Sequence, residues 1–400
     1  MKTQISKTHS NAEVASLQLP THVEHSITVQ ASEHNKISTM LQGVAKECNA
    51  TILNQFVFGG TQHSDKYPDA VLLQGDACDD GSLYSTQVCA LSGIDPEPVI
   101  YNDHNVGHIY EDSTYRICRL KGIVPQYIEA SRIEQTSATF EMLNDILQQN
   151  GFKFTDTIRT WIYLDRLLEW YDDFNVVRTD FFEKTGVFDA MVPASTGIGA
   201  ANKFGAAIMM DLIAVQPLVA LSNGQDVHPT KSDKQCRSGI LPDQNASAGQ
   251  DVRPAAGVQL TNNISPKIVA VKSPLQNPAL DYKSSFSRAV EIEYPTHRKL
   301  MISGTASIDD KGHSVHLDDP EKQIRLTMEV VHKILTSRDM DWGDLFRGIA
   351  YFKDMAYKPI YEKVAAELGI PHFPLAISHA DVCRHDLLFE IEVDAVKLKS

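Results

Sequence analysis

The sequence predicts an α+β protein built from two tandem copies of one domain, each a mixed β-sheet with two helices on one face. The first observation is a repeated order of elements: residues 137–164 and 324–352 each read as an amphipathic helix, a turn and an alternating strand. The second is a constant offset of 188 positions between equivalent residues. The matched pairs are Ile146 and Ile334, Leu147 and Leu335, Asp156 and Asp344, Arg159 and Arg347, and Tyr163 and Tyr351.

Both copies continue in the same way after this strand. A second amphipathic helix is predicted over roughly 171–185 in the first copy and 355–368 in the second, followed by a loop and a final strand. The final strands are GAAIMMDLIAV (205–215) and DLLFEIEVDAV (386–396). A repeat of this length indicates a duplicated domain rather than a solenoid.

Composition along the chain predicts four regions. Residues 1–36 are polar and are expected to be poorly ordered. Residues 37–221 form the predicted N-terminal domain, and residues 266–400 the predicted C-terminal domain, which contains Glu390. Between them, residues 222–265 contain no Phe, Trp or Tyr and are rich in small polar residues, so a flexible linker or long loop is expected there.

Composition and charge also limit the partners. The 400 residues are 42% hydrophobic and contain no run of 18 apolar residues, which predicts a globular protein without a membrane span. The first residues lack the apolar core of a signal peptide, so a cytoplasmic location is expected. The net charge of −14 disfavours nucleic acids and anionic membranes as partners, because both need clustered Lys and Arg.

Neither a cofactor nor a metal is expected. The six cysteines include no close-spaced pairs, which argues against a zinc site and against a disulfide scaffold. His379, Asp381, Cys383 and His385 alternate along one strand end, but their wide spacing gives poor tetrahedral closure. Glycine-rich phosphate loops of the GxGxxG or GxxxxGK type are absent, so the sequence gives no support for a nucleotide cofactor.

Glu390 is the residue of greatest chemical interest in the last strand. Alternation places it on the same face as Glu392 and Asp394, where it reads as a solvated carboxylate. The repeat gives a different interpretation. The last strands of the two copies are related by an offset of 181 positions, which makes Met209 the equivalent of Glu390 in the first copy. A position that accepts Met is expected to be apolar, and desolvation there would raise the pKa of the Glu390 carboxyl towards neutrality.

Several segments resemble a known family. The SGTAS turn, the final strand and the order of elements are similar to YjgF/RidA proteins, small trimers with a chorismate-mutase-like fold whose sites lie between subunits. Five segments, in this order, resemble more specifically the chorismatases, which carry two such domains in one chain. They are RTWIYLDRLLEWYDDFNVVRTDFF (159–182), PASTGIGAANKFGAA (193–207), SPLQNPALDYKSSFSRAV (273–290), ISGTASID (302–309) and DVCRHDLLFEIE (381–392).

The resemblance covers the chain from about residue 130 to the carboxyl terminus, apart from the linker. It implies a cofactor-independent lyase that removes the enolpyruvyl group of chorismate as pyruvate. Glu390 would be the general acid that protonates the terminal methylene of the enol ether. Cys383, together with Gly304, marks the branch that forms 3-hydroxybenzoate; some members also release 4-hydroxybenzoate. The first hundred residues match nothing in the family pattern.

The resemblance also implies a set of substrate-binding residues. Chorismate is a dicarboxylate, and guanidinium groups suit carboxylates best. Arg159, or its repeat partner Arg347, is a candidate ligand. The substrate-binding residues we predict are Arg159, Tyr163, Ser195, Thr196, Gly197, Gly304, Thr305 and Arg384.

Other functions stay open at this point. A hydrolytic chorismatase would give a dihydroxycyclohexadiene carboxylate and pyruvate, although Cys383 and Gly304 speak against it. The broader likeness would also fit a RidA-like imine deaminase or a module that binds a small ligand without catalysis. A monomer would be adequate, because a tandem pair supplies an inter-domain cleft within one chain.

Overall fold

The computed structural model describes residues 4–9, 12–30, 43, 46–76, 82–218, 267–282 and 284–399. The predicted flexible linker, residues 222–265, lies outside the described residues. In these ranges no α-helix is both long enough and apolar enough to cross a membrane.

The described residues form a protein dominated by β-structure. The α-helices are α1 Arg132–Gln149, α2 Tyr171–Thr185, α3 Pro320–Thr336 and α4 Lys358–Glu367. The strands are β1 Gln4–His9, β2 Glu13–Gln18, β3 Val23–Gln30, β4 Ala50–Gly59, β5 Val71–Gly75, β6 Leu83–Ser92, β7 Glu97–Tyr101, β8 His104–Glu111, β9 Tyr115–Ile123, β10 Thr157–Leu164, β11 Ala194–Asn202, β12 Ile208–Pro217, β13 Lys267–Val271, β14 Ala289–Glu293, β15 His297–Ala306, β16 Leu345–Phe352, β17 Leu375–His379 and β18 Phe389–Leu398.

The strands fall into three units of six with one topology. We call β1–β6 the N-terminal unit, β7–β12 the middle unit and β13–β18 the C-terminal unit. In each unit the strand order is first, second, third, sixth, fourth, fifth, and the fourth and fifth strands are parallel. Antiparallel pairing of β5 with β11 joins the first two units into a sheet of twelve strands. The predicted α+β class is confirmed.

The two copies predicted from the repeat are the middle and C-terminal units, each with two helices. The strand pairing has the register inferred from the sequence. Trp161 pairs with Asp211, and Ile349 pairs with Glu392. One step along, Tyr163 pairs with Met209 as Tyr351 pairs with Glu390, so Met209 and Glu390 occupy equivalent positions.

The N-terminal unit differs from the sequence prediction. Residues 1–36, expected to be poorly ordered, contain strands β1, β2 and β3, and the predicted boundary at residue 37 falls inside one unit. The reason lies in the alternation along β2 and β3, where Ala15, Leu17, Ile27 and Val29 are buried between polar neighbours. The high average polarity of residues 1–36 concealed this alternation, so no strands were predicted there.

The three units share one apolar core, while the helices cover other faces. Helices α1 and α2 pack on the middle unit, and α3 and α4 on the C-terminal unit. The shared core takes large side chains from every unit. They include Leu53, Phe56 and Phe58 of the first, Tyr115, Trp161, Tyr163 and Met209 of the second, and Ile292, Tyr294, Met301 and Tyr351 of the third.

A ring of buried polar pairs links the three units within this core. Each unit gives a donor from its fourth strand to an acceptor on the sixth strand of a neighbouring unit, and all six side chains are buried. We call these six residues the polar ring. The pairs are Asn54 Nδ2 to Asp211 Oδ2, Arg159 Nη2 to Glu392 Oε2, and Arg347 Nη1 to Gln87 Oε1, each at 2.7 Å.

Removal of Arg347 tests the contribution of this ring to stability. The Arg347 guanidinium also binds Glu392 Oε1 at 2.9 Å and Asp394 Oδ2 at 2.5 Å. Arg347→Met removes one of the two guanidinium groups that bind buried Glu392 and leaves Gln87 Oε1 and the partly buried Asp394 without this donor, so we expect the free energy of unfolding to fall by about 3–5 kcal/mol. Urea denaturation followed by circular dichroism measures it.

The matched control is Lys358→Met on α4. It also removes one partner of an ion pair, with Glu362, but both side chains are exposed to solvent. We expect little change in its denaturation midpoint. Equal midpoints for the two variants would contradict a structural role of the ring.

Candidate active site

A cleft of about 1330 Å³ lies between the middle and C-terminal units. Its walls come from α2, from strands β11, β15 and β18, and from the loops that precede β14 and follow β17. The strand residues that line it are Ser195, Gly197, Gly304, Ala306 and Glu390. The cleft therefore lies where the middle and C-terminal units meet, beside the polar ring.

Glu390 lines this cleft and is nevertheless 5% exposed. Its strand, β18, is flanked by β15 and β16, which removes water from both sides. Burial raises the pKa of the Glu390 carboxyl, nearby Glu392 adds to the shift, and Arg159 and Arg288 oppose it, which leaves a pKa of about 8. The prediction of a desolvated position is confirmed. A carboxyl group with this pKa is protonated at neutral pH and can donate a proton.

Gly304 leaves the space that Glu390 occupies. A Cβ atom at residue 304 would lie 1.9 Å from Glu390 Oε1 and 3.2 Å from Thr196 Cγ2, far inside contact distance. The Gly304 amide also donates a hydrogen bond to Thr196 Oγ1 at 3.1 Å. The glycine therefore allows the carboxyl group of the C-terminal unit to pack closely against the middle unit.

Four residues that we predicted to bind substrate do not line the cleft. The Arg159 guanidinium is fully buried and binds Glu392 and, at 2.6 Å, Thr196 Oγ1. Tyr163 packs in the shared core. Thr305 is also buried, and its hydroxyl donates to the Ser303 carbonyl.

The reason is the facing of the strands. Alternation correctly put Arg159 and Tyr163 on one face of β10, but that face points into the shared core. Thr196 likewise lies between the cleft residues Ser195 and Gly197 and points the other way, towards Arg159. These residues are corrected from ligands to parts of the support behind the cleft.

Ser195 and Gly197 line the cleft from strand β11, and their contact with substrate stays a prediction. The Ser195 amide donates to Ser303 Oγ at 2.9 Å, and the Thr160 hydroxyl donates to Ser195 Oγ at 2.8 Å. Ser303 in turn donates to the Ser287 carbonyl at 2.5 Å. This chain of hydrogen bonds fixes β11 against the C-terminal unit and so sets the position of the cleft wall.

Cys383 also lines the cleft, in the loop after β17. Burial raises the pKa of its thiol to about 12, and the charge of Glu390 contributes to the shift. The side chain is therefore a neutral thiol at physiological pH. This state does not suit a nucleophile, which needs the thiolate.

Among the described residues, three arginines line the cleft, together with acidic residues of α2 such as Asp172 and Asp180. Arg384 is one of the three, and its Nη1 donates to the Gly312 carbonyl at 2.8 Å. Arg288 donates through Nε and Nη2 to the Asn277 carbonyl at 3.1 and 2.9 Å. Arg178 on α2 donates to Asn175 Oδ1 at 2.6 Å.

Sequence reasoning missed Arg178 and Arg288 as cleft residues. Both lie in segments, 159–182 and 273–290, that carry the family resemblance, and this was the available signal. The 188-residue offset could not help, because it relates Arg178 to Ala366 on α4, which does not line this cleft.

Comparisons with known proteins agree with this picture. Residues 277–397 match the family Endoribonuclease L-PSP. A chorismatase from Streptomyces rapamycinicus is 26% identical over 277 residues, which are 64% of this chain and 68% of the relative. A 3-hydroxybenzoate synthase from Streptomyces hygroscopicus is 24% identical over 312 residues, which are 70% of this chain and 74% of the relative.

A solved structure shows the same fold. The crystal structure of a chorismatase superimposes with a TM-score of 0.57 at 19% identity, and the match covers 86% of this chain and 93% of that one. The fold is thus an α+β arrangement of tandem YjgF/RidA-like domains, with a cleft that contains a buried acid. In sequence and fold the chain is similar to chorismatases.

Replacement of Gly304 tests the close packing of Glu390. In Gly304→Ala the new methyl group would overlap Glu390 Oε1, so we expect the carboxyl group to rotate out of its position. A crystal structure of the variant shows the displacement, and a lower melting temperature should accompany it. The control is Gly343→Ala, where an added Cβ meets no atom within 4 Å. An unmoved Glu390 in Gly304→Ala would refute the steric argument.

The raised pKa of Glu390 predicts a pH-dependent stability difference between wild type and Glu390→Gln. The ordinary carboxyl value is 4.5 and the folded value is about 8, so the unfolded chain loses this proton first as pH rises. The wild type therefore loses stability between about pH 4.5 and pH 8, whereas glutamine does not titrate. Denaturation at a series of pH values should show the variant gaining on the wild type across this window.

Exposed Glu329 on α3 provides the control variant, Glu329→Gln, for the general effect of the exchange. A difference between wild type and Glu390→Gln that stays flat with pH would show that Glu390 ionises normally.

Proposed function

We propose that this protein is a chorismatase, a cofactor-independent lyase that converts chorismate to 3-hydroxybenzoate and pyruvate. The observation that carries the proposal is the burial of Glu390, which raises its pKa to about 8 and favours the protonated carboxyl group, in a cleft that Arg178, Arg288 and Arg384 help to line. The names of the two curated relatives, a chorismatase and a 3-hydroxybenzoate synthase, supply the substrate and the product.

Three guanidinium groups in the cleft suit this substrate. Chorismate carries two carboxylates, and Arg178, Arg288 and Arg384 offer guanidinium groups along the cleft walls. They supply the cations that a dicarboxylate needs in a cleft that acidic residues of α2 also line. Ser195 and Gly197 on β11 also line the cleft. Because they are small, the ring of chorismate can approach their backbone closely.

Glu390 would act as the general acid of the first step. Its proton goes to the terminal methylene carbon of the enolpyruvyl group, which becomes a methyl group. The bond between ring carbon C3 and the ether oxygen then breaks, its electron pair stays with that oxygen, and the side chain leaves as pyruvate. The Glu390 carboxylate that results is stabilised by Arg159 and Arg288, the same charges that limit its pKa.

Product identity depends on what attacks C3. In the proposed route the C4 hydroxyl oxygen attacks C3 and gives up its proton, which forms an epoxide across C3 and C4. The bond from C4 to oxygen then breaks, the oxygen on C3 takes up a proton, and loss of the C3 proton restores the aromatic ring. No water is consumed. Cys383, as a neutral thiol beside Glu390, and the closely packed Gly304 favour this route by restricting room for water. The hydrolytic alternative consumes one water molecule and gives a dihydroxycyclohexadiene carboxylate.

Assembly and location belong to the same proposal. Both walls of the cleft come from one chain, so a monomer would be adequate for catalysis. A cytoplasmic location is proposed with it, because the scattered cysteines fit free thiols in a reducing compartment.

The proposal is tested by incubating the purified protein with chorismate and separating the products by chromatography. We expect pyruvate and 3-hydroxybenzoate in equal amounts, with no label in the phenolic oxygen when the reaction runs in isotopically labelled water. Glu390→Gln should lower turnover about 100-fold or more, whereas Glu329→Gln should not. The wild-type rate should fall as pH rises through about 8, because the acid must be protonated.

Each other outcome identifies an alternative. Absence of pyruvate would reject the chorismatase assignment and leave an imine deaminase or a ligand-binding module. Pyruvate with a non-aromatic diol would reject the branch assignment. Full turnover by Glu390→Gln would reject the acid role.

A further inference from the structure

We propose that Glu392, which does not line the cleft, is a positioning residue for Glu390: its fixed buried carboxylate keeps the neighbouring acid protonated at neutral pH. This inference rests on the proposed function for its meaning in catalysis. The structural relation between the two residues can be measured without any substrate.

Glu392 is held as a carboxylate by donors from two units. Arg159 Nη2 donates to its Oε2 at 2.7 Å and Arg347 Nη2 to its Oε1 at 2.9 Å. The Trp161 indole nitrogen donates to both oxygens, at 2.8 and 2.9 Å. Its residue exposure is 0%. Two guanidinium groups and an indole donor in a site without solvent strongly favour the ionised form.

Comparison within the polar ring supports this assignment. Asp211 occupies the same register position in the middle unit, but its side-chain partner is the neutral amide of Asn54. Burial raises the pKa of Asp211 to about 7, so this carboxyl has little preference for charge at neutral pH. Burial also opposes ionisation of Glu392, but Arg159 and Arg347 lower its pKa by more. Of these two ring carboxyls, Glu392 is the one with a fixed charge.

Glu390 lies within range of this charge. The two residues are two positions apart on the same face of β18, so their Cα atoms are about 7 Å apart. Neither side chain is exposed by more than 5%, and poor solvation strengthens the repulsion between two carboxylates. A second negative charge at Glu390 is therefore disfavoured beyond the effect of burial alone.

Arg159 balances the pair. It binds Glu392 directly and opposes the raised pKa of Glu390. The Thr196 hydroxyl connects the Arg159–Glu392 pair with Gly304. It accepts a hydrogen bond from Arg159, interacts with Glu392 and accepts a hydrogen bond from the amide of Gly304. The same contacts thus fix the charge of Glu392 and the position of the glycine against which Glu390 packs.

Other groups also face Glu390 or the space beside it, and each element packed against it contributes. They are Glu392 on its own strand, Tyr351 on β16, Arg159 on β10, Arg288 before β14, Cys383 and Arg384 in the loop after β17, and Tyr171 and Arg178 on α2. Of these, Glu392 and Arg159 form a pair that can be altered on either side without touching the cleft wall.

The inference predicts shifts of opposite sign. Glu392→Gln keeps the shape and the acceptor oxygen but removes the negative charge, so the titration midpoint of Glu390 should fall by about one pH unit or more. Arg159→Met removes the opposing cation while Arg347 and Trp161 still hold Glu392, so the midpoint should rise. A purely structural disturbance gives no reason for two opposite shifts.

Infrared difference spectroscopy of the full chain measures this midpoint directly. The carbonyl band of the protonated carboxyl that is lost in Glu390→Gln is followed against pH in each variant, with no chorismate present. The matched control is Asp211→Asn, which removes the carboxyl group of the polar ring that lies two positions after Met209. It should leave the Glu390 band unchanged. Circular dichroism verifies that each variant is folded. If Glu392→Gln does not fold, the double variant Arg159→Met with Glu392→Gln replaces it and should have a lower Glu390 midpoint than Arg159→Met alone, whereas equal midpoints overturn the inference.

The outcomes separate this inference from the proposed function. Opposite shifts support the positioning role even if chorismate is not a substrate. Midpoints that do not move, or that move in the same direction in Glu392→Gln and Arg159→Met, overturn it even if pyruvate is released. If the protein does turn over chorismate, the pH at which its rate falls on the alkaline side should shift in each variant in the same direction as the infrared midpoint of Glu390.

Discussion

The rest of this structure depends on the polar ring. Six buried side chains, a donor and an acceptor from each unit, link the three units through hydrogen bonds in a core that is otherwise apolar. Such groups are costly to bury unless each finds its partner, so the ring penalises any slip in strand register. A shift of one residue along β10 or β18 would turn Arg159 or Glu392 to the opposite face. The ring therefore fixes how the units meet, and the cleft exists where two of them meet.

The three units have similar backbones but different chemistry at equivalent positions. On the sixth strand, the ring residues of the three units are Gln87, Asp211 and Glu392. The residues two positions earlier on the same strands are Ser85, Met209 and Glu390. The carboxylate pair occurs in the C-terminal unit, and there the next unit supplies a guanidinium group. Divergence of copies has therefore produced a proton donor at one interface, while the other copies keep neutral residues at the position of Glu390.

Much of this arrangement could be predicted from sequence, because a constant offset carries register. An offset of 181 positions between the last strands made Met209 the equivalent of Glu390, and an apolar residue at that position was enough to indicate that Glu390 is buried. The N-terminal unit was not predicted, because the apolar residues in its strands alternate with polar ones. The helix and strand pattern that revealed the other two copies was not recognised in this part of the sequence. Arg159 and Tyr163 were placed on one face correctly, yet alternation cannot tell whether that face meets a cleft or a core. Arg178 and Arg288 reach the cleft only through tertiary packing.

The placement of the acid also explains why stability and chemistry are coupled in this fold. Exclusion of water and a fixed negative charge nearby both help a carboxyl group to keep its proton at neutral pH. Gly304 provides the close packing that excludes water, and Glu392 provides the charge, but Glu392 can stay ionised only while Arg159 and Arg347 bind it. The ion group that stabilises the junction of the units is thus the same group that sets the strength of the acid. A change in the ring should alter both properties, although the ring side chains lie behind the cleft wall.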